Sequence, residues 1–249
     1  MASTNPRYVG VDAAPDGWIA VRYDQDGYVD VKRYGEADQL WHDNEGAETI
    51  LVDIPIGMRE ASADPRECDT EARDLLSPER HSSVFPVPIR SAAMEESYEE
   101  AKLKQEECTD GSLGTQSHAI TPKIRELDEL LRDNDTRNET IRESHPEVCF
   151  CKLNGGDPMQ FSKTGQPAAA FWERVDALET ADSSVLDSLE DAGDTIREWD
   201  SPECSNDDLL DAFALAVTAS DLTGQLRTLP NEPERDQEEI RMEIVYAEP

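Results

Sequence analysis

Positive charge is what this sequence has least of. Its 249 residues include 23 lysines and arginines against 56 aspartates and glutamates, a formal net charge of −33. No basic stripe is visible, so the usual electrostatic grip on a polyanion is missing, and a nucleic acid would have to be held by metal bridges, hydrogen bonds and stacking. No apolar run approaches the ~20 residues that cross a bilayer. MASTNPRYVGVD passes almost directly into a strand, with no basic segment followed by a long apolar stretch. A soluble, cytoplasmic protein with no membrane partner is expected. The five cysteines (Cys68, Cys108, Cys149, Cys151 and Cys204) are odd in number and show no repeated CxxC spacing, which speaks against structural disulfides. Cys149-Phe150-Cys151 would share one face of a strand and offer two zinc ligands, with half-buried thiols as the competing reading. Internal repeats and low-complexity segments are also absent, apart from the acid bias.

Disorder is the usual consequence of so acidic a composition, yet apolar strand and helix patterns recur along the chain and argue for folding. A lysine-poor, acidic surface suits molar salt, where a Debye length of about 3 Å or less mutes self-repulsion. An intracellular protein of an extreme halophile is the expectation. The length allows one core with a sizeable insertion.

Tyr8 to Asp12, Gly17 to Tyr23 and Tyr28 to Tyr34 are β-branched and aromatic runs separated by turn residues, and they predict an antiparallel meander. A short helix over Gly35 to Asn44 follows, then an apolar strand from Glu48 to Asp53 buried on both faces. Residues 58–139 change character to charge-rich, helix-period sequence and predict a helical insertion, with helices at Asp64 to Leu76, Ser91 to Gln105 and Thr121 to Arg132. Thr140 to Phe150 is expected as a further strand, and helices at Phe171 to Leu178, Ser184 to Glu198 and Asp207 to Leu222 come after it. Residues 225–249 form a tail whose Glu238 to Tyr246 alternates like a final strand. The whole predicts a single α/β domain over 1–249, with a mixed five-stranded central sheet and flanking helices.

Four carboxylates carry the functional reading. Asp12 and Asp53 each close a short apolar run, and Asp208 and Asp211 open an alanine-rich helix. A buried carboxylate must be paired or must ligate a cation to offset its desolvation. Turn formation at Asp12, a turn or N-cap at Asp53, and helix capping by Asp207 or Asp208 are the competing explanations. Asp211 is harder to assign to a cap, because Leu210, Phe213, Ala214 and Val217 set it beside the buried stripe. Gly10 and the small alanines would let helix and strand approach closely. Residues three apart share a helix face, so Asp208 and Asp211 can aim at one point. With Asp12 and Asp53 on adjacent strands they would form a pocket for Mg²⁺ or Mn²⁺. Glu143, His145 and Glu147 would share a face of the fifth strand as further ligands or bases, although Pro146 argues for a strand end or edge. Arg66, Asp69 and Arg73, with Lys123 and Glu126, lie at near-helical spacing in the insertion and are either substrate contacts or a solvated ion-pair face.

GVDAAPDGWIAV, VDIPIG, RECDTEAR, SSVFPVPIR, ITPKIRELD, ESHPEVCF and NDDLLDAFALAVTA, in that order, resemble the family catalogued as domain of unknown function 429, a group of predicted nucleases of the ribonuclease H-like fold. The DxxDAxALA helix at Asp208 to Ala216 is similar to the last helix of Holliday-junction resolvases of that superfamily. The resemblance implies that Asp12, Asp53, Asp208 and Asp211 bind metal, with Asp53 standing where the resolvases usually carry the longer Glu.

Together these expectations describe a nuclease that hydrolyses phosphodiester bonds with two Mg²⁺ or Mn²⁺ ions about 3.5–4 Å apart. Asp12 bridges the ions, and Glu143 or His145 orients water or substrate. A nucleotide phosphohydrolase resembling the actin-like ATPases of the superfamily is the second class, and would require a duplicated core. A binding module that keeps the acids for structure is the third. A homodimer through the insertion is compatible with all three.

Overall fold

The computed structural model describes residues 7–62, 64–132, 134–200 and 204–248. Residues 1–6, part of the stretch on which the absence of a leader was read, lie outside the described residues, as do 63, 133, 201–203 and 249.

Three strands open the chain as a meander: β1 (Tyr8–Ala14), β2 (Gly17–Asp24) and β3 (Gly27–Tyr34). Helix α1 (Ala37–Asn44) leads to β4 (Thr49–Val52). The insertion follows, with α2 (Glu67–Leu75), the one-turn α3 (Arg90–Ala93), α4 (Tyr98–Cys108), α5 (Thr115–Ala119), α6 (Thr121–Leu131) and α7 (Asp135–Thr140). The chain returns to the sheet at β5 (Ile141–Glu143) and continues through α8 (Pro146–Leu153), α9 (Pro167–Glu179), α10 (Val185–Arg197) and α11 (Asn206–Ala219). It ends in a hairpin of β6 (Leu226–Arg235) and β7 (Arg241–Ala247).

The central sheet has the order β3-β2-β1-β4-β5. β1 is antiparallel to β2 and parallel to β4, and β4 is parallel to β5, so the sheet is five-stranded and mixed. Each face carries its own core, as period-two alternation requires. On one face Tyr8, Ile19, Val21 and Leu51 pack with α8 to α11, and on the other Val9, Val11, Trp18, Ile50 and Val52 pack with α1 and α6.

Two sequence expectations change. Thr140 to Phe150 is not one strand: β5 stops at Glu143, His145 becomes the N-cap of α8, and Pro146 occupies the first turn. Proline there costs no hydrogen bond and has φ already set for a helix, so it starts a helix inside an otherwise β-like run. The Ser91 to Gln105 helix is likewise interrupted, and Ser97 caps the second piece by accepting a bond from the Glu100 N–H. β6 was not expected, because Leu226–Arg235 carries two prolines and four charges. Among the described residues it pairs with β7 alone, at an edge where such residues are tolerated.

α11 is the element on which the site depends. Ser205 and Asp208 form a reciprocal capping box at its start: Ser205 Oγ accepts from the Asp208 N–H at 3.1 Å, and Asp208 Oδ2 accepts from the Ser205 N–H at 3.1 Å. Every residue from Leu209 to Ala219 is buried. Its large side chains, Leu210, Phe213, Leu215 and Val217, contribute roughly 1.5–3 kcal/mol each. The helix lies so close over β1 that a Cβ on Gly10 would stand 2.1 Å from the Ala216 nitrogen and 2.2 Å from the Ala212 carbonyl oxygen. Glycine in the strand is therefore required for this approach.

No helix among the described residues is long and apolar enough to cross a membrane.

Candidate metal centre

Gly10 and Asp12 are two residues apart on β1 and so point to the same face, the one α11 covers. Parallel pairing of β1 with β4 ends at Val11–Val52, and the Asp53 N–H continues it with a bond to the Val11 carbonyl at 2.9 Å. Asp53 therefore sits beside Asp12. Asp211, on the first turns of α11, completes the group. Asp12, Asp53 and Asp211 each bring a carboxylate oxygen within 4.8 Å of the other two, a grouping that could hold a metal ion. Asp12 and Asp211 are buried, and Asp53 is half-buried.

The three acids form part of the lining of a cavity of about 390 Å³. Asp208, Lys163, Glu143, His145 and Glu147 contribute to its wall, and Phe85, Val84, Ile120 and Ile244 give it an apolar side. Burial pushes the Asp12 carboxyl well above its ordinary range, and the charges of Asp53, Asp211 and Asp208 push it further. Burial raises Asp53 to about 7 against the pull of Lys163, and Asp211 to about 6, again opposed by Lys163. Like charges crowded out of water hold protons that isolated carboxyls would lose, a strain that a divalent cation relieves.

Asp208, expected as a fourth ligand, stands outside the three-acid group. It lines the cavity, but one of its oxygens is occupied by the capping box. Glu143 also differs from the expected base. Arg66 donates to both of its oxygens at 2.7 Å, and the Ile56 N–H donates to Oε2 at 2.6 Å. Burial raises its carboxyl to about 7, with Arg66 opposing the shift. Arg66 itself is fully buried, binds both oxygens of Asp69 at 3.0 and 2.6 Å, and reaches the Ile56 carbonyl at 2.9 Å. Arg66, Asp69 and Glu143 thus form a buried lattice that fixes the turn just after Asp53.

The sequence grouped Glu143, His145 and Glu147 on one strand face, whereas the helix start at Pro146 separates them. His145 Nδ1 accepts from the Glu147 N–H at 3.2 Å, and burial lowers the ring's affinity for a proton. Glu147 is paired through Oε1 with the buried Arg174, while its buried Oε2 has no hydrogen-bond partner. Arg73 holds the Val84 carbonyl at 2.8 Å, behind the cavity wall. Lys123 and Glu126 lie elsewhere: Lys123 Nζ stands 4.4 Å from the centre of the Trp18 ring, and Glu126 accepts from Trp18 Nε1 at 3.2 Å and from the Ala37 N–H. These two clamp β2 to α1 and are not among the residues lining the cavity. Cys149 and Cys151 are buried on α8. Cys149 contacts Ser144 Oγ at 3.2 Å and Cys151 the Gly156 carbonyl at 3.3 Å, so they do not converge as a zinc pair.

Sequence reasoning missed Lys163. It lies in the loop between α8 and α9, and its Nζ contacts Asp211 Oδ1 at 2.7 Å and Oδ2 at 2.5 Å. Burial lowers its proton affinity, but the Asp211 carboxylate more than restores it, so the ammonium stays charged. No periodicity marks such a residue, and its scarcity in an acidic chain is the only sequence signal for it.

A mixed α/β fold with three clustered carboxylates from two adjacent strands and a crossing helix defines a protein with an acidic site suited to a divalent cation. By sequence the chain belongs to the family described as "Protein of unknown function (DUF429)", matched over residues 10–235. No curated protein and no solved structure matches it.

Proposed function

We propose that the chain is a metal-dependent nuclease of ribonuclease H-like architecture that hydrolyses phosphodiester bonds of nucleic acid. The observation that carries this reading is the convergence of Asp12, Asp53 and Asp211, from β1, the end of β4 and α11, at the wall of one cavity. The strand order β3-β2-β1-β4-β5, with β2 antiparallel to both β1 and β3 and with β4 and β5 running parallel to β1, and the acidic helix across β1 support the architecture. The donor set fits a hard cation: carboxylate oxygens alone, with the unpartnered Glu147 Oε2 nearby, favour Mg²⁺ or Mn²⁺ over zinc.

A cation bound there would supply Lewis-acid polarisation of the phosphoryl group and a nucleophile at neutral pH. Asp12 and Asp53 would hold it from the sheet, with Asp211 beside them on the helix. Arg66 and Glu143 keep the turn after Asp53 in place. Phe85, at the cavity rim, offers a face on which a base can stack, a contact worth about 1–3 kcal/mol per base without any basic groove. The net charge of −33 supports a working environment of molar salt in a cytoplasm.

The test is cleavage of labelled single-stranded, duplex, hybrid and branched nucleic acids in about 2–3 M KCl, with Mn²⁺ or EDTA and an Asp12→Asn control. Cleavage that needs both the metal and Asp12 supports the reading. A folded protein that cuts none of the panel, or cuts equally well as Asp12→Asn, overturns it.

A further inference from the structure

Lys163 grips both oxygens of Asp211, at 2.7 and 2.5 Å, and so occupies the carboxylate that α11 brings to the site. It is a largely buried ammonium, with 24 % of its side chain exposed, and it lines the cavity together with Asp12 and Asp53. Of the neighbouring acids, Glu143 and Asp69 share Arg66, Glu147 faces Arg174 through Oε1, and Asp208 is turned to its cap. With both Asp211 oxygens taken by the ammonium, Asp12 and Asp53 are the two carboxylates of the three-acid group left to hold a divalent cation, and their two charges match one such ion.

We infer that the site takes one divalent cation, seated on Asp12 and Asp53, and that Lys163 stands on Asp211 in the place of a second. The two-ion arrangement expected from the sequence is thus replaced by an ion and a fixed ammonium. Glu147 supports this arrangement independently. It is buried, lines the same cavity, and has an Oε2 without a hydrogen-bond partner, so it adds a negative charge that acts on Lys163. A lysine cannot be released with product or lost to a chelator, so the Asp211 side of the site keeps its cation in every state.

This inference rests on the metal-site reading above, and its test needs no substrate. The number of Mn²⁺ ions bound is counted by electron paramagnetic resonance titration in molar KCl, for the wild type, Lys163→Met and Lys163→Arg, each checked for folding by circular dichroism. One ion in the wild type and in Lys163→Arg, with a second ion in Lys163→Met bound at least about tenfold more tightly than any second ion in the wild type, is the expected result. Two ions of similar affinity in the wild type overturn the inference, and so does a single ion in a folded Lys163→Met. Absence of Mn²⁺ binding in all three overturns the metal-site reading and this inference with it, whereas the preceding outcomes leave that reading standing.

Discussion

Gly10 on β1 and Ala216 on α11 touch backbone to backbone, and a single added methyl at residue 10 would stand 2.1 Å from the Ala216 nitrogen. Because the obstacle is main chain, no rotamer change relieves it. Gly10→Ala is expected to push α11 outward and lower stability by about 1–3 kcal/mol or more. It should weaken Mn²⁺ binding as well, since α11 covers the face of β1 from which Asp12 points. Gly193→Ala is the control. It lies within α10, where an added Cβ meets only Arg197 Nη2 at 3.7 Å, and it should stabilise the protein by roughly 0.5–1 kcal/mol. Thermal melts and Mn²⁺ titrations of the two variants check the contrast.

Stability should fall as pH rises through the range in which the acidic site loses its protons. Asp53 titrates near 7 in the folded chain and near 3.9 when unfolded, so between these values the folded state holds a proton that the unfolded state has released. The unfolded state then binds fewer protons, and the stability contributed below about pH 4 is lost progressively up to about pH 7. In EDTA, the melting midpoint of the wild type is expected to drop between pH 5 and 7.5 by more than that of Asp53→Asn, with about 2–4 °C for each kcal/mol. Mn²⁺ at pH 7.5 should restore the midpoint of the wild type and not that of the variant. Parallel curves for the two proteins would contradict the assignment.

Arg66→Met removes the one cation that serves Glu143 and Asp69, both of which are buried. Stranding those charges should cost about 3–5 kcal/mol. Arg66→Lys should recover little of this, because an ammonium cannot span two carboxylates and a carbonyl at once as the guanidinium fork does. By contrast, Lys123→Met is expected to leave Mn²⁺ affinity unchanged, since Lys123 sits over Trp18. Urea unfolding of the Arg66 variants, with Mn²⁺ titration of Lys123→Met, separates the roles of the two groups.

Salt should stabilise the chain steeply. With a net charge of −33, screening from 0.1 M to 1 M shortens the Debye length from about 10 Å to about 3 Å and removes most repulsion between surface acids. The melting midpoint is expected to climb throughout that range in KCl. A flat response would mean that the acid surplus carries no stability cost at low salt.

Most of the sheet and the three acids of the candidate site were legible in the sequence, for identifiable reasons. β1 to β4 are short runs of β-branched and aromatic residues bounded by turns, and α11 is alanine-rich with acids at its start, so period and composition agree at each. Asp12, Asp53 and Asp211 were legible because a carboxylate ending an apolar run, or flanking an apolar stripe, needs an explanation. Pro146 argues for a strand end, and β5 does end just before it, but the helix it starts was not expected. Lys163 and Arg174 were invisible because they sit in a loop and on a helix face that only tertiary packing brings to the acids, and nothing in SSVFPVPIR marked Ser83 to Phe85 as a cavity wall.

Asp12 lies in the first strand, Asp211 in the last helix, and Ile244, on the cavity wall, in the final hairpin. A chain emerging from the ribosome at about 5–20 residues per second would therefore display two of its acids well before the third could reach them. Until α11 closes over Gly10, Asp211 is missing from the three-acid group, so the full grouping is a late product of synthesis.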